Sequence, residues 1–326
     1  MEEVVKKILK QKTDPLQIRK STFEVIKKAN LVSINIDKIK KLTFFIKNKI
    51  EIKDTLNIEQ FGSSNPTPQL IFVLDALNFC FWAKKNEEKW TVEYPKGNFV
   101  SNGWFALVNS VQRALSEGIP LLDAGYLQNI TLKEAEYIFR SSNQTSIPLL
   151  NKRVEILNEI GQVLIKNYNG NIYNFLVKNG LDAKEILINL IKEFPSFQDY
   201  SEIGGKRINF YKRAQIFVYD LSFLPKLKIK NLDCLTIFAD YKIPQILRAF
   251  GVLEYVPSLK EKIDNYEILT SGSQEEIEIR ASTIWAGELI AFFSGFLPPQ
   301  VDNVLWKASQ SLRDVSPYHR VLTTAY

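Results

Sequence analysis

Apolar residues recur at every third or fourth position over most of the chain, and short clusters rich in Gly, Pro, Ser, Asp and Asn cut that pattern into segments. The pattern predicts a helix over residues 16–29, with Asp14 as its cap and Pro15 in its first turn, and another over 37–49. Asn102-Gly103 precedes a helix over 104–116 that Gly118 and Pro120 end. Thr131-Leu132-Lys133-Glu134 reads as a capping box, and residues 148–168 and 182–194 as two further helices, the second stopped by Pro195. Ser273-Gln274-Glu275-Glu276 caps a long apolar segment reaching residue 294, and Pro298-Pro299 starts a last helix with Asp302 in its first turn and Trp306 on the same face.

Strand-like runs are few. Residues 206–218 and 232–238 are rich in β-branched and aromatic side chains and read as short strands, though buried helix fits almost as well. The expected class is mainly α with a small β part. Residues 61–68 hold the densest cluster of turn residues and predict a loop between an N-terminal helical subdomain, 1–60, packed on the body, and a compact body, 61–326.

With 45% apolar and 24% charged residues, the chain is globular rather than disordered. Residues 1–60 carry 14 Lys or Arg against 8 Asp or Glu, so the net charge of +6 lies wholly there. Lys6, Lys7, Lys10, Lys38, Lys40, Lys41, Lys47 and Lys49 alternate with apolar residues as on the wet faces of amphipathic helices, without the interleaved aromatics of a single-strand binder. Cys80, Cys234 and the single histidine, His319, are too few for a disulfide framework or a multi-histidine metal centre, which leaves carboxylates as the expected chemistry. The longest apolar run, 70–83, is short for a bilayer and is interrupted by Asp75 and Asn78. The acidic start Met1-Glu2-Glu3 predicts no export, hence a cytoplasmic protein.

Four polar features stand out against apolar surroundings. Asp75 and Asn78 interrupt a hydrophobic run three residues apart, either as a buried cap or as ligand contacts. Asp240 lies between a hydrophobic run and a helix expected to start at Pro244, which it can cap, while the flanking Phe238 and Tyr241 would suit a planar ligand. Asp302, in the first turn of its helix, would be kept ionised by the helix dipole and could stabilise a cation such as an oxocarbenium-like sugar, or be no more than a helix-terminal charge. Lys212-Arg213, inside an apolar stretch, calls for an anionic ligand or an internal salt bridge, for instance with Glu278. No phosphate loop, dinucleotide fingerprint or metal-ligand spacing is found.

Residues 75–82, 210–216 and 238–245, followed in order by 276–280 with Trp285, 302–306, His319-Arg320 and Tyr326, resemble the queuosine salvage protein family over roughly residues 60–326. The resemblance implies a queuosine 5′-phosphate N-glycosylase/hydrolase, which releases queuine from queuosine 5′-monophosphate for reinsertion into tRNA. It implies a mainly helical fold similar to helix-hairpin-helix DNA glycosylases, acting on a small molecule and not directly on nucleic acid or a membrane. No cofactor or metal is expected, and the protein is expected to be a monomer. Position by position, Asp302 looks like the catalytic carboxylate, as nucleophile or stabiliser of the ribosyl cation. Phe238 and Asp240 look like the base-recognition pair, with Tyr241, Glu278 and Trp306 as further substrate contacts and Lys212 as the expected contact for the 5′-phosphate.

Two alternatives compete. A nucleic-acid glycosylase or binding module would use the related fold and the pI near 9, and its binding would weaken steeply with salt. A non-catalytic deazaguanine-binding protein would keep the pocket without turnover, against which stand the intact Asp302 and Asp240.

Overall fold

The local signals that start and stop each helix decide most of the architecture, seen in a computed structural model that describes residues 2–49, 58–97, 99–312 and 315–326. Residues 50–57, next to the boundary expected near residue 60, lie outside the described residues. The helices are α1 (Glu2–Gln11), α2 (Ile18–Ile26), α3 (Ile36–Lys49), α4 (Pro68–Ala76), α5 (Gly103–Ser116), α6 (Ala124–Leu127), α7 (Leu132–Ile138), α8 (Leu150–Tyr168), α9 (Ile172–Lys178), α10 (Ala183–Glu193), α11 (Lys212–Leu221), α12 (Lys242–Ala249), α13 (Pro257–Asp264), α14 (Gln274–Ser294) and α15 (Pro298–Ser311). The strands β1 (Val32–Ile34), β2 (Thr91–Glu93), β3 (Val100–Asn102), β4 (Tyr200–Ile203), β5 (Lys206–Asn209), β6 (Leu253–Tyr255), β7 (Ile268–Leu269) and β8 (Arg320–Val321) pair only in twos. Pairs β1–β6, β2–β3 and β4–β5 are antiparallel, and β7–β8 is parallel. The class is mainly α with small sheets. No described helix is long and apolar enough to cross a membrane.

Helix α14 is the axis of the body. Residues 276–291 are buried without interruption, so this helix has no wet face and is surrounded by others. Helices α2, α3, α12 and α15 pack against it, α12 and α15 also against each other. Gly287 lets the irregular segment at Ile237 approach α14 closely: a Cβ there would lie 2.6 Å from Ile237 Cγ2.

The strand expectations need correction. The run 206–218 divides, because β5 ends at Asn209 and α11 begins at Lys212, whose backbone N–H donates to Asp199 Oδ2 at 3.0 Å. The run 232–238 contains one 3-10 turn at Leu232–Cys234 and no strand. Its apolar residues from Cys234 to Phe238 are buried, but its backbone groups find local turn carbonyls and side chains instead of a neighbouring strand.

Candidate active site

Residues 235–240 form a buried stretch of irregular backbone, which must satisfy its polar groups without a ladder. Arg19 from α2 donates to the carbonyl oxygens of Cys234 and Leu235 at 2.9 and 2.6 Å. Gln215 from α11 accepts the Thr236 N–H at 2.8 Å, and Arg280 from α14 donates through Nε to the Ala239 carbonyl at 3.0 Å. Arg280 is itself held by a buried two-pronged pair with Asp199, at 2.8 and 2.6 Å. Because Asp199 also accepts the first N–H of α11, one carboxylate ties the start of α11 to the loop that carries Phe238 and Asp240.

The loop and α15 meet at one bond: the backbone N–H of Phe238 donates to Asp302 Oδ2 at 2.8 Å. Asp302 Oδ1 has no hydrogen bond among the described residues, and the side chain lines a chamber of about 550 Å³. Asp302 is the fifth residue of α15, past the first turn. This corrects the expectation that the helix dipole keeps it ionised: burial first, and then the nearby Asp240 charge, push its pKa well above the carboxylate range, while the Phe238 N–H and Lys212 oppose this. Asp240 does cap a helix, its Oδ1 accepting the N–H groups of Lys242 and Ile243 at 2.7 and 2.8 Å. Its other oxygen has no hydrogen bond among the described residues, and the carboxyl lines the same chamber, so cap and site coincide. The Phe238 ring lines it too, with the Tyr219 ring 5.9 Å away.

Lys212 and Arg213 make no ion pair with Glu278. Lys212 Nζ donates to the Asn78 carbonyl at 2.9 Å, and burial lowers its pKa while Asp240 and Asp75 raise it. Arg213 donates to the Ala76 and Ser196 carbonyls. The sequence reading missed Asp220. It is nine-tenths buried, lines the chamber beside Lys212, and burial raises its pKa to about 8. Asp75, fully buried on α4 behind it, is pushed up first by burial and then by Asp220. The helical spacing 212/216/219/220 on α11 was the available signal, since all four line one chamber.

Asn78, Trp104, Lys212, Asp240 and Trp306 form the wall shared with an adjoining chamber of about 810 Å³, which Tyr241 and Tyr326 also line. Thus Asp302, Phe238, Asp240, Trp306, Lys212 and Tyr241 converge. Glu278 does not. Its Oε2 accepts the N–H groups of Asn30, Leu31 and Val32 at 3.1, 2.8 and 3.2 Å, and it lines a separate groove with Lys28 and Lys206. It lines neither chamber and is turned instead toward the backbone of residues 30–32. His319 is buried against the Tyr326 hydroxyl at 3.2 Å, and burial lowers its pKa to about 3, so the ring is neutral at ordinary pH.

Comparison with known proteins reports on the same residues. The model of a family described as queuosine salvage protein matches residues 59–326, which contain every side chain of both chambers. A Sphaerobacter thermophilus protein named queuosine 5′-phosphate N-glycosylase/hydrolase is 37% identical over 96% of this chain and 98% of its own length. Proteins of the same name from Mus musculus and Schizosaccharomyces pombe are 39% and 32% identical, each over 68% of this chain and over 66% and 67% of their own lengths.

Proposed function

Because the chain belongs to the queuosine salvage protein family, we propose that it is a hydrolase cleaving the N-glycosidic bond of queuosine 5′-monophosphate to release queuine for salvage into tRNA. The base leaves with the electron pair of the bond to ribose C1′ and takes up a proton, water oxygen bonds to C1′, and ribose 5-phosphate is the other product. The observation that carries this reading is the convergence of Asp302, its Oδ2 fixed by the Phe238 N–H, with the Phe238 ring and the uncommitted oxygen of Asp240. A 7-deazapurine lacks the N7 that would be protonated to help a purine leave, so charge at C1′ must be stabilised strongly. Asp302 Oδ1 supplies that charge as nucleophile or stabiliser. Phe238 stacks on the base, Asp240 accepts from its N–H donors, and Trp306 and Tyr241 wall the ribose side. Lys212 draws the carboxylates toward their ionised forms. In this reading the helical body is related to helix-hairpin-helix DNA glycosylases, turned to a small nucleotide, and works as a cytoplasmic monomer.

The test is to incubate the purified protein with queuosine 5′-monophosphate and follow queuine by chromatography beside an Asp302→Ala control. Release by the wild type alone is the expected result. Ligand-dependent thermal stabilisation with no release would leave a deazaguanine-binding protein in its place.

A further inference from the structure

The two chambers differ in their ionisable lining. The one holding Asp302 is lined by three carboxyls, Asp220, Asp240 and Asp302, against one ammonium, Lys212. Its neighbour is lined by three ammonium groups, Lys89, Lys212 and Lys242, against Asp240 alone. Lys212 is committed, since its Nζ donates to Asn78 and its charge lies among Asp75, Asp240 and Asp302. The other two are available. Lys89 Nζ has no hydrogen bond or ion pair among the described residues, and Lys242 Nζ has one hydrogen bond, to Gln245 Oε1 at 2.6 Å.

Both lysines are placed by rigid neighbours. Lys89 precedes Trp90, whose buried ring is fixed by its Nε1 donating to the Phe139 carbonyl at 2.9 Å. Lys242 opens α12, whose first N–H groups already serve Asp240, so only its side chain is left for a ligand. Loss of hydration lowers the pKa of both: Arg320 adds to it at Lys89, an otherwise exposed residue, while at Lys242 the Asp240 charge opposes it and Lys89 adds to it. Three ammonium groups share one carboxyl here, Asp240, so a further anion is favoured beside Lys89 and Lys242. The Ser309 hydroxyl and Gln310 amide line the same chamber.

Resting on the function proposed above, we propose that Lys89 and Lys242 seat the 5′-phosphate and set the preference for nucleotide over nucleoside, while Lys212 serves the carboxylates. The ribose then spans the shared wall between Trp104 and Trp306, C1′ toward Asp302 and C5′ toward the lysines.

The test measures kcat/KM for queuosine 5′-monophosphate and for queuosine, with ribose 5-phosphate and ribose as inhibitors, in Lys89→Ala, Lys242→Ala and the double variant. Losing one charge-assisted contact should lower the nucleotide-to-nucleoside ratio about tenfold per lysine, mainly through KM. Inhibition by ribose 5-phosphate should weaken in parallel, and Lys→Arg variants should keep most of it. Lys212→Met should instead lower both substrates alike. A ratio within about twofold of wild type in the double variant, or a selective nucleotide loss confined to Lys212→Met, would overturn the assignment. Absence of queuine release by the wild type would sink the proposed reaction separately. The seat is then judged by whether ribose 5-phosphate raises the melting temperature of the wild type and not of the double variant, and no shift in the wild type would refute it.

Discussion

The backbone N–H of Phe238 donates to Asp302 Oδ2 at 2.8 Å, joining the residue assigned to the base and the residue assigned to the sugar in one bond. A main-chain donor has no rotamer freedom, so the carboxylate is oriented before substrate arrives, the condition under which electrostatic stabilisation acts without reorganisation. The same bond fixes where the Phe238 ring stands relative to Asp302 Oδ1. Base plane and cation site are therefore set by one segment of backbone, held by Arg19, Gln215 and Arg280.

This arrangement separates two kinetic effects. Asp302→Asn keeps the acceptor for Phe238 but removes the charge, and should lower kcat about a hundredfold or more with little change in KM. Phe238→Ala keeps the N–H and removes the ring, and should raise KM about tenfold or more, the usual loss when an aromatic under a base is truncated. Steady-state kinetics on both variants distinguishes them, and an Asn variant with near-normal kcat would remove Asp302 from the chemistry.

The acid limb of the kcat profile should lie above the usual carboxylate value of about 4. Asp302 acts ionised, and burial and Asp240 raise its pKa, so activity is lost as pH falls through that raised value. Lys212 lowers the same pKa, hence Lys212→Met should shift the limb further upward. A limb that stays in place in the Met variant would mean that Lys212 does not act on Asp302.

What the sequence made legible is what neighbouring residues decide. Thr131 with Glu134 and Ser273 before α14 are caps closed within four residues, and each stands where the pattern placed it. Asp240 was legible as a cap for the same reason. Residues 232–238 were not, because the partners of that backbone come from Arg19, Gln215 and Arg280 on three separate helices. Asp220 and Lys89 escaped notice because packing brings them to the chambers: Asp220 through α11 against α4, and Lys89 through the anchoring of Trp90. Glu278 was carried into the site by resemblance, whereas its phase on α14 turns it toward residues 30–32.

Gly287→Ala should destabilise the protein by about 1–3 kcal/mol, the usual cost of forcing a methyl into a packed core. The new Cβ would sit 2.6 Å from Ile237 Cγ2 and 2.7 Å from Ile237 Cβ, and Ile237 is fully buried. Since Ile237 precedes Phe238, the displacement should also raise KM. Urea unfolding with parallel kinetics checks both, and unchanged stability would show that α14 and the loop are not in tight contact.

Asp220 makes stability depend on pH in an unusual direction. Its unfolded pKa is about 4, and burial raises the folded value to about 8, with Asp75 titrating against it. Between those values the unfolded chain has lost a proton that the folded protein keeps, so stability is full at the acid end and falls as pH rises, by at most about 1.4 kcal/mol per pH unit. Asp220→Asn keeps the shape of the protonated acid and cannot ionise, so that slope should flatten. Thermal unfolding from pH 5 to pH 9 should therefore show the variant gaining on the wild type toward the alkaline end. A parallel pair of curves would mean that Asp220 is ionised throughout and that the Asp302 chamber carries more negative charge than the burial of this pair allows.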